Sequence, residues 1–418
     1  MQGEYKGASV RVKVISNEVF VPSPERGVGV MGGSYYTTRD GLELVSIHSL
    51  TSRSDTTEMA YVRRSPDNGQ TWDEPQAWPM RFEAEGGTGR RHVRGGYVDP
   101  LTGRYIQVWT EGVLPTDEPL EGMRQWKLHY AVSEDGGHTH IVNEQIVCAG
   151  DAYDAQHPLP GVYIGQNCVM IGDLGEVPLT RSDGAILVPV QSSPLDENGA
   201  YYNPGAGFTY TDCLLLIGRW QPDGRLAWSC SERVCGDPER TTRGLIEPTI
   251  AELDDGRLLM VMRGSNDARP AWPGHKWMAL SADGGQTWDA PRPWTYTDGE
   301  APFSPSACSQ LVPWADGRLL WLGNICDDNP QGNRPRYPLV LAEVDRQSGL
   351  LLRDSLQPID TRGEGEHEML TLSNFYARAD RQTGELLVFL PRFFAHTFDE
   401  ADRWTTDLSL IRIGIDPL

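Results

Sequence analysis

The chain has 418 residues, with 37 Lys and Arg against 58 Asp and Glu and a formal net charge of −21. That sign argues against a surface built to neutralise phosphates, so no nucleic-acid partner is expected. No run of about 18 apolar residues is available to cross a membrane, and the content of 13 Trp, 15 Tyr and 9 Phe argues against disorder.

Taken in chain order, one unit recurs: a polar turn ending in Gly, then a short apolar strand. It reads RDGLELVSI at Gly41, LTGRYIQVW at Gly103, SDGAILVPV at Gly184, DDGRLLMVM at Gly256, ADGRLLWLG at Gly317 and QTGELLVFL at Gly384. Such a turn between two alternating runs is a hairpin signal. A third strand follows each time, as MAYVRRS, WKLHYAVS, TDCLLLIGRW, KWMALS, YPLVLAEVD and TDLSLIRIG. Six repeats of three or more strands, without long helical periodicity, predict an all-β six-bladed β-propeller. The expectation is one domain over residues 1–418, with residues 1–25 packing on or closing the last blade.

A propeller gathers its site on one face, from the axial starts of the first strands and the loops joining second to third strands. Counting back from each turn places the axial starts near Met31 to Gly33, His92 to Arg94, Glu247, Pro305 to Ala307 and Leu372 to Tyr376. In the third blade the start falls at either Glu176 or the Gln166–Asn167 pair. The corresponding loops are long and polar, as functional loops tend to be.

Three of the third strands run into one octet: SPDNGQTW at 65–72, SEDGGHTH at 133–140 and SADGGQTW at 281–288. Gly permits the tight turn, and the Asp and Ser or Thr oxygens cap backbone N–H groups. This S-x-D-x-G-x-T-W string is the Asp-box, and on it the chain resembles the sialidase (neuraminidase) superfamily. The resemblance implies that Asp67, Asp135 and Asp283 are structural.

It also implies a constellation on the axial face: arginines that grip a sugar carboxylate, a Tyr polarised by a Glu as nucleophile, and an Asp as acid/base. Carried over, Glu247 matches the Glu, Arg263 and Arg336 match the second and third Arg (with Arg334 a rival), and Asp55 matches the acid/base. Two positions depart from the pattern. Met31 stands where the first Arg belongs, which Arg26 or Arg94 could replace, and Tyr376 lies near the Tyr slot without sitting on it.

Outside the resemblance, RRHVRGG at 90–96 aims His92 and three arginines at the axis, which suits an anionic ligand. His367, between Glu366 and Glu368, is a second such candidate. No metal is expected, since neither HxH nor CxxC spacing occurs, and no cofactor is implied. The leading expectation is a sialidase-type exo-glycosidase that releases a terminal acidic sugar from a glycan. The alternatives are a uronate-glycoside lyase working through His92 and a non-catalytic glycan-binding propeller. Seven cysteines (148, 168, 213, 230, 235, 308 and 326) read as reduced thiols. With no signal segment visible, the chain as it stands reads as cytoplasmic, or as secreted or periplasmic if a signal was removed.

Overall fold

The computed structural model describes residues 11–416. These form six sheets arranged as a six-bladed β-propeller, with one short α-helix, Gly122–Gln125. In blade 1 the strands run Gly29–Tyr36, Leu44–Thr51, Met59–Ser65 and Gln76–Pro79, each paired antiparallel with the next. Blade 4 repeats the order with Ile246–Glu252, Leu258–Arg263, Lys276–Ser281 and Arg292–Pro293, and blade 5 with Gln310–Pro313, Leu319–Asn324, Leu339–Val344 and Gln357–Asp360. Blade 2 adds Arg81–Ala84 beside its long first strand, Gly87–Val98. The last blade holds Tyr376–Ala379, Leu386–Pro391 and Leu408–Ile415, and its outer strand comes from the other end of the chain: Val12–Val21 pairs with Leu408–Ile415. Residues 1–10, part of the segment expected to pack there, lie outside the described residues.

Alternation along each strand explains the cores. Ile186, Val188 and Val190 face blade 2 and pack with Val108, Leu128 and Tyr130. Their sequence neighbour Leu187 points the other way and packs with Met260, Met262 and Trp277 of blade 4. Every blade is thus buried on both faces, and the cores lie between blades. The turn glycines behave as the hairpin reading requires at Gly103, Gly184, Gly256, Gly317 and Gly384, with φ from 70° to 91°. Gly41 does not adopt a positive φ; there the Thr37 N–H reaches the Glu43 carbonyl across a wider turn.

The first strand of blade 3 is split. Val169–Met170 and Leu179–Thr180 pair with opposite ends of Ile186–Ser192, and the residues between them bend toward the axis. This resolves the ambiguity in the blade 3 start. Asn167 is a loop clamp, donating from Nδ2 to the carbonyls of Gly161 and Ser193, while Glu176 belongs to the axial segment.

The three Asp-boxes are nearly superimposable in their bonding. In each, Asp Oδ1 accepts from the Ser hydroxyl and the Thr N–H, Asp Oδ2 accepts from the Thr hydroxyl, and the Ser oxygen accepts from a Gly N–H. They follow the third strands and therefore lie at the end opposite the second-to-third loops.

Candidate functional site

Blade 4 supplies the centre. Glu247 lies on its first strand where the register with the second strand slips between Ile246 and Thr249, and it adopts a φ of 49°. That left-handed conformation is unfavourable for a residue with a Cβ and persists only when its surroundings fix it. Here the fixing is visible. The Glu247 N–H donates to Gln191 Oε1 at 2.6 Å, and Glu247 Oε1 accepts from Arg263 Nη1 at 2.7 Å. Arg263 also donates to Ser306 Oγ at 2.7 Å and Asn333 Oδ1 at 3.2 Å. Both side chains are buried, yet Glu247 Oε2 has no partner among the described residues. Burial alone would raise the Glu247 carboxyl, but the charge and hydrogen bond of Arg263 hold it below the ordinary range.

Three further guanidiniums surround this pair, each held by neutral groups. Arg94 donates from Nη2 to the carbonyls of Gly172 (2.6 Å) and Ile171 (3.1 Å). Arg336 donates to the Ser306 carbonyl at 3.0 Å, and Arg243 to Thr209 Oγ1 at 2.5 Å. The Nε of all three is buried without a partner. Burial, then repulsion by Arg263, brings both Arg243 and Arg336 down to about 10. Lys276, capped by the Ala307 carbonyl, is lowered to about 7 by burial and Arg263.

Two more carboxyls enter from the split strand of blade 3. Gly172 packs so tightly on the centre that a Cβ there would sit 2.7 Å from Glu247 Cγ and 3.1 Å from Glu176 Oε2. Asp173 accepts from Asn374 Nδ2 of blade 6 at 2.6 Å. Glu176 Oε2 accepts from the Asp173 N–H at 2.6 Å, and its Oε1 is buried without a partner. Burial and then repulsion by Glu247 raise Asp173 to about 6 and push Glu176 well above its ordinary value.

At the mouth, Asp55 and His92 line one tight pocket together with Trp126 and the ion-paired Arg90 and Asp117. Asp55, with φ 54°, is exposed, and its charge reaches Arg243 through space. His92 Nδ1 lies 3.5 Å from Thr57 Oγ1. Burial, reinforced by Arg94 and Arg90, lowers the imidazole to about 3, so the ring is neutral.

The other nominated residues lie elsewhere. Tyr376 opens the first strand of blade 6, and its ring sits 4.4 Å from that of Tyr35 inside the core between blades 6 and 1. Burial raises its phenol to about 12, and no hydrogen bond joins it to Glu247. Asn374, two residues earlier at φ 60°, is the blade 6 residue that reaches the centre. Arg334 is exposed over Phe398, and His367 stacks on that same ring. Arg26 is exposed and paired with Asp402, so it does not stand in for the arginine missing at Met31. Asp173 and Arg243 escaped the sequence reading; the signals that mark them are the D-x-x-E spacing in GDLGE and the Arg four residues before Glu247. No group of three His, Cys, Asp or Glu placed to hold a metal occurs among the described residues, and all seven cysteines are free.

Comparison with known proteins agrees with this architecture. A comparison with curated protein sequences finds no match. Among solved structures, a protein of unknown function from Dyadobacter fermentans superposes with a TM-score of 0.62 at 14% identity, over 97% of this chain and 99% of that one. The intramolecular trans-sialidase from Ruminococcus gnavus gives 0.55 at 11% identity, over 97% and 98%. An α-L-arabinanase from Penicillium chrysogenum gives 0.51 at 13%, over 96% and 98%. At these identities the likeness is one of fold. The model of the BNR repeat-like domain matches residues 122–351, more than half of the sequence, so the chain belongs to that family, within the sialidase-like BNR propeller superfamily.

Proposed function

We propose that the protein is an exo-acting glycoside hydrolase for a terminal acidic sugar, sialic acid or a related sugar acid. One observation carries the reading: three desolvated guanidiniums, none neutralised by a carboxylate, surround two carboxyls whose environments displace them in opposite directions. The arginines suit a sugar carboxylate, which accepts paired N–H bonds and supplies the missing negative charge. Glu176, kept protonated by burial, is the acid for the leaving oxygen. Glu247, kept ionised by Arg263, presents Oε2 to the developing oxocarbenium-like centre. Oppositely tuned carboxyls are what glycoside cleavage requires. This division gives Glu247 the role that the resemblance assigned to a tyrosine, and it leaves Asp55 at the mouth to contact the departing part of the glycan.

The lyase reading has less support. A histidine held near 3 is a weak base for a sugar C–H proton.

The test is a panel of fluorogenic acidic and neutral glycosides. Turnover of an acidic glycoside is expected, with Glu247→Gln and Glu176→Gln each lowering kcat by about 10²–10⁴-fold and Arg336→Met acting mainly on KM. Unchanged kcat in Glu176→Gln would remove it as the acid. Binding of acidic sugars without any turnover would turn the reading to a glycan-binding propeller.

A further inference from the structure

Two cysteines that take no part in the axial site share one core cluster. The segment that leaves the outer strand of blade 2, Val142–Gln145, laps onto the edge of blade 3. There the strand Leu226–Cys230 pairs with Asp212–Trp220 on one side. On its other side Cys148 forms a single parallel bridge to Trp228, and the Ala149 N–H donates to the Trp228 carbonyl at 2.8 Å. Cys230 lies two residues beyond Trp228, hence on the same face of the strand. Both cysteines pack in the cluster that holds Trp228, where the Cys148 thiol donates to the Cys230 sulfur. Both are free in this structure.

The two sulfurs are not equivalent. Cys148 is buried and Cys230 half-buried. The hydrogen bond from Cys148 lowers the Cys230 thiol below its ordinary value; burial opposes that shift and the Arg233 charge adds to it. The same hydrogen bond, then burial, raises Cys148, which keeps its proton. A partly accessible, acidified thiol beside a second thiol is the arrangement of redox-responsive cysteines. Cys235 supplies the contrast. It is the exposed cysteine of the seven, yet burial of its sulfur and then the Asp212 charge push it up to about 11.

The lap can adjust. One bridge, not a ladder, holds Cys148 to blade 3, so drawing the sulfurs together to about 2.05 Å displaces a connecting segment and leaves the strands in place.

We propose that Cys148 and Cys230 are a redox-active pair, which a hydroperoxide oxidises to a disulfide that joins the blade 2 to blade 3 connection to the outer strand of blade 3. The Cys230 thiolate sulfur attacks one peroxide oxygen and the O–O bond breaks. The departing hydroxide takes up the proton that Cys230 had released and becomes water, leaving Cys230 as a sulfenic acid. The Cys148 sulfur then attacks the Cys230 sulfur, the S–O bond breaks, and the hydroxide leaves as water with the Cys148 proton. The two thiols lose two electrons, one hydrogen peroxide becomes two waters, and a dithiol reductant reverses the change. The pair stands independently of the glycosidase reading.

The test treats the full chain with hydrogen peroxide, alkylates it, digests it without reductant and reads the peptides by mass spectrometry. Cys148 and Cys230 are expected to disappear together and to be recovered in linked peptides, with Cys235 lost at least about tenfold more slowly. Dithiothreitol should restore both thiols. In Cys148→Ser the reaction should stop at the first step, so that dimedone labels Cys230 as a sulfenic acid. In Cys230→Ser, Cys148 should stay alkylatable. Both thiols alkylatable after peroxide, linkage of either to another cysteine, or Cys230 carried to a sulfinic acid without linkage overturns the pair. Loss of Cys235 ahead of Cys230 overturns it too, because exposure alone would then set the reactivity.

Discussion

The two ends of the propeller solve opposite problems with the same strands. At the Asp-box end, the Asp carboxylate oxygens accept from side chains and backbone of their own turn, and the arrangement recurs in three blades. At the axial end, Glu176, Glu247, Arg94, Arg243 and Arg336 all keep a buried polar atom without a partner. Unsatisfied buried groups are costly, and five charged side chains that each keep one around a single centre mark a place where stability is spent on readiness for a ligand. A turn that satisfies itself can recur anywhere in the ring. The axial end occurs once, because its members come from blades 2 to 6.

The contrast can be broken most severely at its centre. Arg263→Met strands the buried Glu247 charge, and removing one partner of such a pair costs on the order of 3–5 kcal/mol. Chemical denaturation should show that loss, and the double variant Arg263→Met with Glu247→Gln should recover part of it. No recovery would mean that Glu247 is not charged in the folded chain.

At the other end, Asp283→Ala removes the acceptor for Ser281 and for both Thr287 groups. A drop of a few degrees in Tm is expected, with kcat and KM on any hydrolysed glycoside unchanged. A parallel fall in turnover would show that the two ends are coupled through the blades.

The contrast also has a pH dependence. Asp173 keeps its proton in the folded chain up to about 6, whereas the unfolded chain loses it near 4. Between these values the folded state holds the extra proton, so this group's contribution to stability falls as pH rises, and Asp173→Asn should flatten that part of the profile. Lys276 shows the reverse case. The folded chain loses this proton near 7 and the unfolded chain near 10.4, so stability should rise across that window and Lys276→Met should abolish the rise. Profiles that the two variants leave unchanged would mean that the axial pocket is more hydrated than its packing indicates.

The same contrast governs what could be read from the sequence. The Asp-boxes and five of the six hairpin glycines are local devices, whose residues and function lie within a few positions of one another. Glu247 and Arg263 were also legible, because one hairpin carries both. Asp173 and Arg243 were not, since no hairpin count reaches a strand interrupted in its middle or the connection that enters blade 4. Tyr376 shows the limit differently. Counting reached the right segment, but the backbone turns left-handed at Asn374, which sends that side chain to the centre and lets the tyrosine ring fall back into the core beside Tyr35.

The pairing of Val12–Val21 with Leu408–Ile415 also sets an order of events during synthesis. The outer strand of the last blade precedes every other described strand in the chain, and its partner follows them all. Until that partner is made Val12–Val21 has no native edge to join, and blade 6 cannot be completed. Contacts so distant along the chain carry a large loop-closure cost and slow the final step. Blades 1 to 5, each a run of neighbouring hairpins, have no such wait, so closing of the ring should be the slow phase of refolding.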